Sequence, residues 1–354
     1  LVVSALQLLP WQAGVLQDAL ANLRSAGALI HGAPGSGQLN LAMNLAKAWL
    51  CETNAASREP LMFGDAQATG QPQAACGHCP SCHLVDTGYH PDLMVVLPEA
   101  SMHEMGWPHL IEALEKGDKG EGKKKKLSTE IKVDAIREVV VFSQSTISRG
   151  VAKVVVVHPA ERMNTVSANT LLKTLEEPPG SVRFLLSCGS LEDVLPTVRS
   201  RCQAWHLALP QGEGVLAWLA EQSPNLKAPD AALLLQAAGQ SPQAALQLLA
   251  QGWQADGWKR LPREIKQGKL GICAGWPLSL LMDTLQKLAH DLACVAVQAP
   301  PRYFPPEALP AQAHLARATA WAQELRQASR HADHPFNAAL KAESLLFQAR
   351  RAMA

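Results

Sequence analysis

Four cysteines between positions 51 and 82 have the types and spacing of a metal site. Cys76, Cys79 and Cys82 form two overlapping C-x-x-C steps in "CGHCPSCH", and Cys51 lies upstream. Four thiolates close a tetrahedral zinc site with bonds of about 2.3 Å and leave no position open for a substrate water, so the site reads as structural. His78 and His83 are competing ligands, and separate buried cysteines are the plain alternative. The insert around the cluster, about residues 52–90, holds too little apolar sequence for its own core, so zinc would supply its folding energy. A redox motif is disfavoured by the run of three cysteines and its Gly/Pro-rich setting. Cys188, Cys202, Cys273 and Cys294 are expected in the core.

A second stretch, "HGAPGSGQLN" (31–40), has the glycine spacing of a phosphate-binding loop. Such a loop needs backbone amides at a helix start, a Lys reaching the β and γ phosphates, and a hydroxyl on Mg²⁺. Gly32, Gly35 and Gly37 keep the turn, but Gln38 and Leu39 stand where the Lys and the hydroxyl belong. The strand "VVVVHPAERM" would end in Asp-Glu if it carried the metal ligand and the base, and it ends in His158 and Pro159. Losing groups at two separate segments argues for a retained scaffold without its chemistry.

The surrounding elements fit that scaffold. Residues 25–50 read as a short apolar strand, a loop, and a helix with Leu41, Leu45 and Ala48 at helical spacing. "KVVVVHP" (153–159) and "VRFLLSC" (182–188) are apolar runs of the kind buried on both faces of a parallel sheet. Between them a helix runs until Pro178 and Pro179 stop it. This alternation predicts an α/β domain over 1–209, with a zinc module at about 51–90. Pro210, Gly212 and Gly214 then break the chain, and the rest is Ala/Leu/Gln-rich with helical periodicity. A small helical domain is expected over 210–254 and a second over 255–354. The Gly- and charge-rich stretch 115–130 reads as a disordered loop.

A net charge of +1 gives no global attraction to nucleic acid, so any such contact must come from a local patch or from partners. With neither a basic signal-peptide start nor an apolar run of about 18 residues, the default location is cytoplasmic.

The segments "GAPGSGQLNLAMNLAKAWLCE", the cysteine cluster followed by "GYHPDL", "KVVVVHPAERMNTVSANTLLKTLEEPP" and "LPTVRSRC" together resemble the AAA+ clamp-loader subunits of DNA replication over about residues 10–209. The resemblance implies an AAA+ P-loop NTPase-like domain with a parallel sheet and a zinc-binding insert, then a helical lid domain and an all-α collar domain. It also implies a hetero-oligomeric ring with gamma/tau ATPase subunits and a delta subunit, acting on the sliding clamp and primed DNA. The missing Lys, Ser/Thr, Asp and Glu match the non-hydrolysing members, so ATP is not expected to bind productively and zinc is the expected cofactor. In that family a Ser-Arg-Cys motif supplies an arginine finger in trans, matched here by Ser200, Arg201 and Cys202. The nucleotide-sensing lid arginine corresponds to Gln243. Glu176 and Glu177 would pair with a neighbour or cap a solvated helix end, and the Lys123 to Lys126 run would touch DNA phosphates or form a solvated loop.

Two other functions compete: a divergent active ATPase, and a zinc-dependent nucleic-acid binder. The second is weakened by the few aromatic and basic residues around Cys76 to Cys82. No G-x-S-x-G elbow, H-E-x-x-H motif or carboxylate pair stands out. His290, His314, His331 and His334 read as surface or packing residues.

Overall fold

The computed structural model describes residues 7–56, 73–107, 127–150, 152–210, 212–329 and 338–353. It divides into two compact units, Leu1–Leu209 and Pro210–Ala354.

The first unit is built on a parallel sheet of five strands: β1 (Gly27–His31), β2 (Leu93–Val96), β3 (Lys153–Val157), β4 (Val182–Cys188) and β5 (Gln203–His206). Their order is β2-β3-β4-β1-β5. Every pair is parallel, with Leu29 of β1 opposite Leu186 of β4 and Ala204 of β5. Alternation along the strands sends successive residues to opposite faces. Ala28, Ile30, Val154, Val156 and Leu185 face one core with the helix Gln38–Leu50; Leu29, Val155, Val157, Phe184 and Leu186 face a second core. Helices Val133–Gln144 and Thr165–Glu176 cover that second core through Ile136, Val139, Ala168 and Leu171.

Burial on both faces explains why β1, β3 and β4 are legible as continuous apolar runs. Two further strands carry weaker sequence signals. β2 is only four residues long, and β5 is an edge strand whose residues alternate between half-buried and exposed. The Gln38–Leu50 helix is apolar nearly all round, and eleven of its thirteen residues are buried, Leu41, Leu45 and Ala48 among them. Asn164 caps the Thr165–Glu176 helix by accepting from Ser167 N at 2.9 Å. At its other end Pro178 disfavours helical geometry for the residue before it, and Glu177 lies at φ −125°, ψ 73°.

The second unit is helical in its regular structure. Helices Glu213–Gln222, Ala228–Ala237 and Pro242–Ala250 precede Ala255–Lys266, Leu278–Ala296, Leu315–Ser329 and Ala338–Met353. Trp276 Nε1 donates to the Gln251 carbonyl at 2.8 Å, tying the two groups of helices together. Asp291, fully buried, accepts from the backbone N–H groups of Arg302, Tyr303 and Phe304 at 2.8–2.9 Å and fixes the Pro-rich loop that the helices enclose. Cys188 and Cys273 are buried, but Cys294 is not a core residue. It lies one helical turn from the exposed side of His290, with Sγ 3.7 Å from His290 Nδ1. Among the described residues no helix is long and apolar enough to cross a membrane.

Candidate functional site

The four cysteines converge. Cys51 ends the Gln38–Leu50 helix, and Cys79 caps the helix Pro80–Thr87, its Sγ accepting from Cys82 N at 3.4 Å. Cys51 and Cys79 sulfurs are 4.0 Å apart, those of Cys76 and Cys82 are 3.9 Å apart, and all four lie within 4.8 Å of one another. Bonds of about 2.3 Å to a tetrahedral zinc put sulfurs about 3.8 Å apart, so the four thiols could hold that ion with little movement. Hydrogen bonds from the Thr53 side chain and the His78 amide hold the Cys76 thiol down at about 5. Burial would raise Cys51, but the Cys76, Asn54 and Thr53 amides outweigh it and lower it; burial pushes the Cys82 thiol up. A bound cation would offset that burial by stabilising the thiolate, which is the ligating form. The competing histidines stand aside: His78 Nδ1 lies 2.8 Å from the Cys76 carbonyl and His83 is exposed.

The cluster is fastened to the sheet. Glu52 Oε1 accepts from Ser81 Oγ at 2.8 Å and from Arg149 Nη2 at 3.1 Å. Arg149 is itself placed by Asp92, whose carboxylate accepts from the Ser148 and Arg149 amides at 2.8 Å beside the buried Lys153. The Asp of "GYHPDL" thus organises a loop more than fifty residues away, a link with no local sequence signal.

At the other end of the Gln38–Leu50 helix lies the glycine loop. A Cβ at Gly32 would overlap the Leu207 carbonyl, and Gly35 and Gly37 have φ of 81° and 89°. Gln38 turns inward: its Nε2 donates to the Gly32 carbonyl at 2.6 Å and the Ala33 carbonyl at 3.1 Å. Leu39 is buried in the core. Gln12, unnoticed in the sequence, is fully buried and donates through Nε2 to the Ser36 and Gly37 carbonyls at 3.1 and 2.8 Å. The two carboxamides bind the loop to its own chain.

Where a metal ligand would stand, His158 is uncharged near neutrality. Burial lowers it to about 4, and its Nδ1 lies 2.8 Å from Ser187 Oγ. Glu161 accepts from Gly189 N at 3.0 Å beside the loop's Pro34, and its other oxygen is buried without a hydrogen-bond partner among the described residues. Neutral carboxamides at the loop and a neutral imidazole in the second segment supply neither the charge that offsets a triphosphate nor the usual oxygen ligands of magnesium. The double substitution Gln38→Lys, Leu39→Thr is therefore expected to leave ATP turnover by the isolated chain at background, because His158 and Pro159 still occupy the second segment. A phosphate-release assay checks this.

Ser200, Arg201 and Cys202 follow the short helix Pro196–Arg199 and lead into β5. Gly27, the first residue of β1, lies against the Arg201 carbonyl and Cys202 Sγ. The glycine loop leaves β1 at its opposite end. At about 3.3 Å per residue, Arg201 and the loop are separated by roughly 16 Å along the strand. Arg201 therefore lies beyond the end of β1 opposite its own loop. Its guanidinium is engaged within the chain: Nε donates to Glu176 Oε1 at 2.6 Å, Nη2 to the same oxygen, and Nη1 to the Thr197 carbonyl at 2.7 Å and Ser200 Oγ at 3.2 Å. Glu176, expected to meet a neighbour or solvent, pairs with Arg201 of its own chain. Gln243 sits in the first turn of the Pro242–Ala250 helix, and the Lys123 to Lys126 run lies outside the described residues.

A parallel-sheet α/β unit with a degenerate phosphate loop and a cysteine cluster, joined to a helical unit, is the class of protein these features define. Residues 12–211 match the family described as "DNA polymerase III, delta subunit", and the chain belongs to it. Among its relatives is the DNA polymerase III subunit delta' of Pseudomonas aeruginosa, 32% identical over 284 residues, covering 77% of this chain and 74% of that one. The subunit delta' of Escherichia coli is 30% identical over 276 residues, covering 73% and 69%. The subunit tau of Escherichia coli is 28% identical over 194 residues, covering 53% of this chain and 23% of its own.

Proposed function

We propose that this chain is a non-hydrolysing delta-prime subunit of a DNA polymerase III clamp loader, lending Arg201 to the active site of a neighbouring ATPase subunit. The observation that carries the proposal is the opposition of the two motifs on β1. The glycine loop at one end carries Gln38 where the lysine belongs, with Gln12 and Gln38 donating to its carbonyls, and the arginine at the other end is too far away to serve it. An arginine suits a site in trans because its charge is permanent and its planar donors match phosphate oxygens.

On this reading the gamma/tau ATPase subunits and the delta subunit are ring partners, and the sliding clamp and primed DNA are reached through the assembly. The chain is AAA+-like over 1–209, with a lid over 210–254 and a collar over 255–354. The exposed Leu340 and Phe347, seven positions apart on the Ala338–Met353 helix, offer an apolar stripe for collar packing. The four thiols hold a structural zinc, which supplies cross-linking and charge neutralisation. A cytoplasmic location follows from that role. The test is paired. The isolated chain should show no ATP turnover, and its addition to the ATPase subunits should raise their DNA-stimulated turnover. Turnover by the isolated chain would favour the divergent ATPase.

A further inference from the structure

Two acids, Glu176 and Glu177, end the Thr165–Glu176 helix, where the unpaired carbonyls carry partial negative charge and a carboxylate is disfavoured. Arg201 supplies the compensation for Glu176. That pairing has a consequence for the proposed finger, because Nε and both Nη nitrogens of Arg201 already donate to Glu176, Thr197 and Ser200. Phosphate oxygens would need the same donors. A carboxylate left on that guanidinium would also repel an arriving phosphate.

We propose that Glu176 is a latch: its carboxylate holds the Arg201 guanidinium in the free subunit, and assembly exchanges that carboxylate for the nucleotide phosphate of the neighbouring subunit. The inference rests on the reading of Arg201 as a finger in trans. The pair is suited to exchange. The side chains of Arg201 and Glu176 keep 30% and 45% of their surface exposed, so water screens their attraction. It fixes one arrangement of a long side chain without making release prohibitive. Glu176 is thus a positioning residue, acting through Arg201 and opposing its engagement.

The test compares wild type, Glu176→Gln, Arg201→Ala and the double variant in clamp loaders of equal assembly and zinc content, reading kcat/KM for DNA-stimulated ATP hydrolysis. Glu176→Gln removes the charge at nearly constant shape, and the expected result is a rise of about two- to fivefold, the range for an exposed ion pair. The rise should vanish in the Arg201→Ala background, which a merely structural effect of position 176 would not do. If Arg201→Ala lowers the rate while Glu176→Gln leaves it unchanged or lowers it, the latch is overturned and the finger stands. If Arg201→Ala has no effect, the finger reading fails and the latch fails with it.

Discussion

Replacing Cys82 with serine is expected to abolish stoichiometric zinc and to lower stability by more than about 3 kcal/mol. That is a fraction of the roughly 10–16 kcal/mol that structural zinc contributes in isolated finger peptides. The magnitude follows from the setting. Cys82 and Cys51 are fully buried, and among the described residues from Glu52 to His90 the other buried apolar side chain is Val85, which packs into the core shared with the Gln38–Leu50 helix. Removing one thiolate leaves three anionic ligands crowded around a cation they cannot enclose. Cleavage by a protease within residues 52–90 should become fast, and a chelator should reproduce both effects on the wild type. Metal analysis and thermal unfolding check the outcome; one equivalent of zinc retained by Cys82→Ser, with an unchanged midpoint, would contradict the four-thiol site. Glu52, Ser81 and Arg149 tie the cluster to the loop held by Asp92, so the damage should reach that loop as well.

The cysteine cluster was legible because zinc chemistry imposes a short repeat on the sequence, and "CGHCPSCH" has that repeat; the structure brings its three thiols together with Cys51, in a group that could hold a metal ion. β1, β3 and β4 were legible for a similar reason, since burial on both faces leaves continuous apolar runs. The broken loop could be read from Gln38 and Leu39, but the glutamine contacts to its carbonyls could not. Gln12 reaches Ser36 and Gly37 across 24 and 25 positions, and a buried glutamine looks like a surface one in sequence. Glu176 and Arg201 are likewise 25 positions apart and meet only because the helix end and the start of β5 come together in the fold. Asp92 satisfies backbone amides, which no sequence pattern announces.

The second large effect concerns Arg201. Arginine fingers contribute on the order of 10³ to 10⁵ in rate, because a fixed positive charge meets the negative charge of the transferring phosphate in a water-poor site. In this chain the residue is partly exposed, follows a four-residue helix and is anchored through the Arg201 carbonyl and Cys202 against β1. Truncating its side chain should leave that backbone in place, so folding and assembly should survive Arg201→Ala. The loss should appear in the neighbour's turnover and not in this chain, whose own loop has Gln38 in place of the phosphate-binding lysine.

The most direct measurement is therefore DNA- and clamp-stimulated ATP hydrolysis by the reconstituted loader, comparing wild type with Arg201→Ala in equally assembled complexes. A fall of tenfold or more, corresponding to about 1.4 kcal/mol of barrier, is the predicted result and places Arg201 in the neighbouring active site. An unchanged rate would contradict the account and leave this chain without a catalytic role toward its neighbour.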